Sequence, residues 1–388
     1  MTKEQHSAAF RFIVMIGVSN LFADLTYEGG RSIVGPFMAQ LGATAAIVSI
    51  VSGLAEFVGY ALRAASGFAA DRTGRYWSLT ALGYTINMLA VPALSLAGSW
   101  PVAACLIAAE RTGRAIRRPI VQGMISRAGK LVGSGHAFGL NEALDAAGAT
   151  VGPLVVALIL ARHGKYGVAF AGLLVSALLC LIALFFTQRS YPNPEKFEPY
   201  SGVLASNFPT SYWLYLAAAA MVGFGFVDFS LIAFHFHKAS TFSNSWIPIS
   251  YGIAMGIGAI TNFFLGRLYD QVGRSTLIAS FLVSSFFAPL VFYGSAVWAV
   301  VGMALWGLGK GAQDTLLKAA ISGLIPVNRR STAFGIFDTA FGAAWLAGSI
   351  MLGLLYERSL PLLVAISVLG QLASLPIFFL ASRAKSVH

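Results

Sequence analysis

Long apolar stretches alternate with short polar ones along the whole chain. The apolar stretches fall at about 10–38, 45–69, 76–97, 101–125, 134–161 and 165–187. They resume at about 211–237, 245–268, 275–294, 296–320, 331–356 and 359–382. Each is near the ~20 residues that a helix needs to cross hydrocarbon. The pattern predicts six helical spans, a break, and six more. The break, Gln188 to Gly202, holds three prolines among charged residues and cannot continue a helix in lipid. The expected organisation is a six-helix bundle over 1–187, a linker over 188–210 and a second six-helix bundle over 211–388. The fold class is an all-α polytopic membrane protein with two pseudo-symmetric halves.

The halves repeat each other. Gly67-Phe-Ala-Ala-Asp71-Arg72-Thr-Gly74-Arg75 is echoed by Gly266-Arg-Leu-Tyr-Asp270-Gln-Val-Gly273-Arg274, an offset of 199 residues from Gly67 to Gly266. Ala137-Phe138-Gly139 and Glu142 match Ala333-Phe334-Gly335 and Asp338, and Gly152 and Gly348 stand ten residues after each acid. Met15, Gly17 and Asp24 have a looser echo in Met221, Gly223 and Asp228. A chain built twice, with a charged hairpin at one place in each half, points to movement of something across a bilayer.

Composition agrees. Hydrophobic residues make up 57% and charged ones 11%, against roughly 25% charged in soluble domains. Mean hydropathy is +0.74. Gly 41 and Phe 29 suit close helix packing in lipid. The net charge of +11 would suggest nucleic acid in a soluble protein. Here the basic residues sit in short loops and set topology, so nucleic acid is excluded as a partner. One side holds Arg162, Lys165, Lys238 and Arg358. The other holds seventeen, Arg72, Arg75, Arg117, Arg118, Arg127 and Lys130 among them. This bias puts both termini and the linker in the cytoplasm of a cell with an inner membrane. Cys105 and Cys180 are apolar fillers; no disulfide framework and no metal-ligand spacing is present. The N-terminus carries no cleavable signal pattern. No Gly-x-x-x-x-Gly-Lys followed by Ser or Thr occurs, so ATP is not the drive and no cofactor is expected.

With these motifs the chain resembles the major facilitator superfamily of secondary transporters. The resemblance rests on six plus six spans and on the Gly-x-x-x-Asp-x-x-Gly-Arg loop in each half. It implies the major facilitator fold: two six-helix bundles around a central cavity, working by alternating access. It implies that Gly67, Asp71, Arg72, Gly74 and Arg75, with Asp270, Gly273 and Arg274, form a conformational gate. Gly148-Ala-Thr-Val-Gly152-Pro153 looks like the Gly-x-x-x-Gly-Pro motif of proton-coupled exporters. Arg111-Thr-Gly113 is reminiscent of the family's span-four Arg motif, with Glu110, Arg114, Arg117 and Arg118 crowded around it.

Ionisable residues within spans cost roughly 2.5–3.5 kcal/mol each at a helix centre, so they face a cavity or a partner. The acids are Asp24, Glu28, Glu56, Glu110, Glu142, Asp145, Asp228, Asp314 and Asp338; the bases are Arg31, Arg63, Arg111, Arg114 and Lys310. Asp24, Glu28 and Arg31, at i, i+4 and i+7, share one face of span one. Glu110 and Arg114 share a face of span four; an arginine there suits an anionic group or neutralises Glu142 or Asp145. Glu142 and Asp338 are symmetry-related acids suited to gates or proton sites. Lys310 and Asp314 form an i, i+4 pair, and His235 and His237 read as interfacial histidines. Substrate and proton binding is assigned to Asp24, Glu28, Arg31, Arg111, Arg114, Glu142, Asp145, Asp228 and Asp338. The acidic surplus favours proton-coupled export of a cationic or zwitterionic small molecule. Uptake of an organic anion and transport of a metal cation are the alternatives. No nucleophile–base constellation indicates an enzyme. The expected partners are a small-molecule substrate, protons and the lipid bilayer, with the protein acting as a monomer.

Overall fold

The computed structural model describes residues 3–192, 208–325 and 330–383, and helices without any strand make up these residues. The first half contains α1 (Lys3–Gln40), α2 (Ala45–Thr73), α3 (Tyr76–Ala93, continued by a 3-10 turn at Leu94–Leu96) and α4 (Trp100–Val132). It continues with α5 (Ser134–His163), α6 (Tyr166–Gly172) and α7 (Leu174–Ser190). The second half contains α8 (Thr210–Gly225), α9 (Phe229–Lys238), α10 (Trp246–Val272) and α11 (Arg274–Ser284). It ends with α12 (Phe287–Tyr293), α13 (Ala296–Leu324), α14 (Arg330–Arg358) and α15 (Leu360–Arg383). The fifteen helices cover the twelve apolar stretches, because three stretches are broken, between α6 and α7, α8 and α9, and α11 and α12.

Ten stretches of the described residues are long and apolar enough to cross a bilayer. The others, α4 and α13, have sufficient length at 33 and 29 residues. Their apolar character is diluted by Glu110, Arg111, Arg114, Arg117 and Arg118 in α4 and by Lys310 and Asp314 in α13. Most of the expected linker, residues 193–207, lies outside the described residues. So do the side chains of Asp71 and Arg274. The two loop motifs form matching turns. Gly74 (φ 66°) separates α2 from α3, and Gly273 (φ 72°) separates α10 from α11. Both angles lie where only glycine is unstrained.

By packing, the chain divides into two compact units. Unit 1 comprises Met1–Phe37, Val58–Ser201 and Asn244–Gly252. Its core gathers Phe12, Trp77, Tyr84, Met88, Ile125 and Leu184. Cys180 fills space there and its thiol donates to the Ser19 carbonyl at 3.2 Å. Helices α1 and α5 approach at backbone distance through Gly148 and Gly152, where a methyl group would overlap the carbonyl oxygens of Leu21 and Leu25. The outward faces carry exposed Val175, Phe185 and Phe186, as a lipid-facing surface requires.

Unit 2 comprises Met38–Phe57, Gly202–Ser243 and Ile253–His388. The Tyr212 hydroxyl of α8 donates to the Ala333 carbonyl (2.8 Å), and Ser367 donates to the Gly225 carbonyl (2.7 Å). Gly348 lies under the Phe224 carbonyl as Gly148 lies under Leu21. Trp306, Phe226, Trp345 and Phe341 pack as tilted rings in that order, with centroids 5.4–5.9 Å apart. His235 differs from the interfacial position expected for it. It is 7% exposed, with Nδ1 3.0 Å from the Tyr356 hydroxyl, because Phe292 and Tyr356 close over its ring. Lys310 and Asp314 pair at 2.6 Å, as their spacing implies.

Asp228 takes a local role. The break at 226–228 leaves the first amides of the short helix α9 without acceptors, and the Asp228 carboxylate accepts from the Ser230 N–H at 2.8 Å. Replacing Asp228 with alanine is expected to lower stability by about 1 kcal/mol, the usual loss for an N-cap. The thermal midpoint of the purified variant reads this; an unchanged midpoint would show that the cap is dispensable.

Candidate functional site

Unit 1 buries a cluster of charge that α1, α3, α4 and α5 assemble. On α1, Asp24, Tyr27, Glu28 and Arg31 fall on one face, and all are 8% exposed or less. On α4 the same three-to-four spacing runs through Glu110, Arg111, Arg114, Arg117 and Arg118. Facing helices therefore meet with opposite charges, the arrangement that makes burial of either tolerable.

The pairs are specific. Arg117 Nη2 lies 3.6 Å from Asp24 Oδ1. Arg114 Nη2 lies 3.9 Å from Glu28 Oε1. Glu28 Oε2 accepts from the hydroxyl of Tyr251, in the segment of α10 that belongs to this unit, at 2.6 Å. Arg111 Nη1 donates to Glu110 Oε2 at 3.1 Å, and Asn87 Nδ2 donates to Glu110 Oε1 at 2.7 Å. Arg31 donates to the Tyr27 hydroxyl at 2.9 Å. The guanidinium carbons of Arg111 and Arg114 lie 4.6 and 3.9 Å from the centre of the Tyr27 ring, and that of Arg117 lies 4.4 Å from the Tyr84 ring. These are cation–π distances.

A chain of amides ties the pairs together. Arg117 donates to Asn87 Oδ1 (3.1 Å) and to Asn20 Oδ1 (3.2 Å). The Tyr84 hydroxyl also donates to Asn20 Oδ1. Asn20 Nδ2 donates to Asn141 Oδ1 at 2.7 Å, and Asn141 Nδ2 donates to Asp145 Oδ2 at 3.2 Å. Polar contacts thus run without a gap from Arg111 to Asp145. Asparagine suits each junction because its side chain offers both a donor and an acceptor.

The chain ends at a polar pocket. Asn20, Asp24, Arg114, Arg117, Arg118, Gln122, Asn141 and Asp145 line it, with Val121. Two buried atoms of these residues have no hydrogen-bond partner among the described residues: Asp145 Oδ1 and Arg114 Nε. Arg118 has no ion pair there, although Glu142, Asp24 and Asp145 face it.

Of the residues expected to bind substrate or protons, the structure brings Asp24, Glu28, Arg31, Arg111, Arg114 and Asp145 together. Glu142 stands exposed at the edge. Asp228 and Asp338 belong to unit 2. Two corrections follow. Arg117 and Arg118 are not loop residues that set topology: both lie within α4, and Arg117 is 4% exposed and paired. The acidic surplus also disappears here, since Asp24, Glu28, Glu110, Glu142 and Asp145 meet five arginines, 31, 111, 114, 117 and 118. The signal was present in the sequence, because 110, 114, 117 and 118 continue one helical face. Tyr84, Asn87, Asn20 and Tyr251 were not anticipated; nothing in their local sequence marks them.

The sequence pattern described as Major Facilitator Superfamily matches residues 16–349. An uncharacterized protein of Mycobacterium tuberculosis is 36% identical over 380 residues, covering 96% of this chain and 93% of its own. The fosmidomycin resistance protein of Escherichia coli is 23% identical over 370 residues, covering 90% of this chain and 87% of its own. Among solved structures, that of the nucleoside transporter NupG is similar, with a TM-score of 0.74 at 14% identity. It covers 96% of this chain and 100% of that one. At that identity the likeness speaks for the fold.

Proposed function

The chain belongs to the Major Facilitator Superfamily and is a membrane transporter, not an enzyme; from that premise we propose that it exports a small zwitterionic molecule in exchange for protons. One observation carries the reading: Asp145 Oδ1 is buried on a pocket wall with no donor among the described residues, while Asp24 beside it is matched by Arg117. A buried carboxylate oxygen without a donor is costly as an anion. It therefore holds either a proton or the positive group of a substrate. The two exclude each other, and mutual exclusion at one carboxylate is what makes a carrier an exchanger.

The other groups divide the work. Asp24 and Arg114 stand on the wall of the site, and Glu28, Arg31 and Arg111 belong to the polar cluster that holds them. Glu142 and Asp338, at equivalent places in the two halves, change hydration as the site is exposed to either side. The halves 1–187 and 211–388, joined by 188–210, are the alternating parts, and the motif loops at 67–75 and 266–274 gate them. Both termini face the cytoplasm of an inner membrane, and the monomer is the working unit. A mixed-charge pocket suits a zwitterion better than a simple cation. The name of the Escherichia coli relative, a resistance protein, accords with export. Uptake of an organic anion with protons is the second reading, favoured by the three arginines on the pocket wall.

The test is proteoliposome transport under an imposed pH gradient, screened over zwitterions, cations and anions. Exchange predicts that apparent affinity falls by up to about tenfold per unit as pH falls, because protons displace the substrate. Asp145→Asn should abolish this dependence and lose gradient-driven accumulation, while counterflow at equal pH persists at higher substrate concentration, since the amide no longer pairs with the cationic group. Affinity that rises with acidity would favour proton-linked anion uptake instead. Full accumulation by Asp145→Asn would overturn the role given to that carboxylate.

A further inference from the structure

Arg118 is the one arginine of the pocket wall for which no ion pair occurs among the described residues. It is half-buried, one turn before Gln122 on the same face of α4, and Gln122 is exposed on the pocket wall. Arg114, one turn earlier, spends a terminal nitrogen on Glu28, and its Nε has no acceptor among the described residues. Arg117 is fully engaged by Asp24, Asn20 and Asn87. With Glu28 on Arg114 and Asp24 on Arg117, one guanidinium, Arg118, and one carboxylate, Asp145, are left on this wall. Neither has an ion pair among the described residues, and the acceptor without a hydrogen-bond donor there is Asp145 Oδ1.

We propose that Arg118, together with Arg114 Nε, forms an anion subsite, so that the transported molecule carries a carboxylate or phosphate-type acid at one end and an amine-type cation at the other. The guanidinium fork matches the geometry of either acid and is always charged. Gln122 offers an amide that donates to a second oxygen of the same group. The cationic end goes to Asp145, and only this end of the assignment rests on the exchange reading above. The two ends of the ligand would cancel the two unmatched charges, leaving the filled pocket with its remaining groups in pairs. A simple cation would satisfy Asp145 and leave Arg118 facing an apolar body, which is the origin of the selectivity.

The full chain, purified in detergent, tests this with probes that differ by one acid group: glycine betaine against choline, glycine against methylamine, and phosphoethanolamine against ethanolamine. Thermal-midpoint titrations report half-saturating concentrations. In the wild type, at least one acid-bearing probe should saturate at about tenfold lower concentration than its cationic partner. Arg118→Gln should erase that preference, and Arg118→Lys should keep part of it. No preference in any pair, or a preference that survives Arg118→Gln, overturns the proposal. If Arg118→Gln does not fold, phenylglyoxal labelling of the wild type replaces it. Arg118 should be labelled in the free protein and protected about fivefold or more by the preferred probe, following its occupancy; equal labelling with and without the probe overturns the subsite. Proton release on binding, read with a pH dye, separates the two proposals. Release without acid preference leaves exchange standing and the subsite refuted. Acid preference without release does the reverse.

Discussion

Arg117→Met is expected to destabilise the transporter by about 3–5 kcal/mol, the usual effect of removing one partner from a buried ion pair. Arg117 is 4% exposed. Its guanidinium faces Asp24 at 3.6 Å and donates to Asn20 and Asn87. Methionine preserves most of the volume and removes every donor, so the Asp24 charge is left without its cation. Adding Asp24→Asn removes that charge, and the double variant should recover a large part of the loss. Thermal midpoints of the wild type, both single variants and the double variant form a cycle. A coupling above about 1 kcal/mol is expected for groups in one network. Additive losses would mean that Arg117 and Asp24 act independently, and the description of α4 as the matched partner of α1 would fall with them.

Gly148→Val and Gly152→Val should each prevent correct assembly of unit 1. At both positions a side chain would run into backbone of α1, the carbonyls of Leu21 and Leu25. Backbone cannot move aside as a flexible side chain can, so the loss should reach or exceed about 1–3 kcal/mol, the range for overpacked cores. Gly139 lies on the same helix with nothing within 4 Å of where a Cβ would stand. Gly139→Ala should therefore change stability by less than about 1 kcal/mol, and in the favourable direction, since alanine prefers the helix. Size-exclusion profiles and thermal midpoints of the three variants decide the matter. A monodisperse Gly148→Val protein with the wild-type midpoint would refute the close approach of α1 and α5. The Gly-x-x-x-Gly-Pro pattern thus has a structural reason independent of coupling: it lets α5, which carries Asn141 and Asp145, lie against the part of α1 that carries Asp24.

Span positions were legible in the sequence, most ends to within about four residues; α1 starts seven residues earlier than expected and α4 runs seven residues further, to Val132. The breaks inside three spans were not legible. At 226–228 the only local sign is Asp228, which reads equally well as an intramembrane acid and as a helix cap; packing against Trp306, whose indole donates to the Val227 carbonyl at 2.9 Å, accompanies the cap. The candidate site was half legible. The i, i+4, i+7 face of α1 identified Asp24, Glu28 and Arg31 correctly as neighbours. Arg117 and Arg118 were misplaced because the helical face of Glu110 and Arg114 was not followed past Arg114, although their spacing continues it. What spacing does not give is the partner, which lies far away in the chain: Asn20 is 97 residues from Arg117, and Glu28 is 223 from Tyr251.

From its own letters this chain determined the helices, their approximate ends, their repeat in two halves and the family. These depend on a local requirement: every backbone polar group in lipid must be satisfied within its own helix, so an apolar run of sufficient length has one available structure. Only the tertiary structure decided which charge meets which. That outcome depends on how each helix is rotated and how closely it approaches its neighbour, and those follow from packing at glycines such as Gly148 and Gly152 rather than from the charged residues themselves. A surplus of acids counted along the chain therefore became a balanced cluster once the helices were brought together; on its pocket wall, among the described residues, Asp145 keeps an open acceptor and Arg118 has no ion pair.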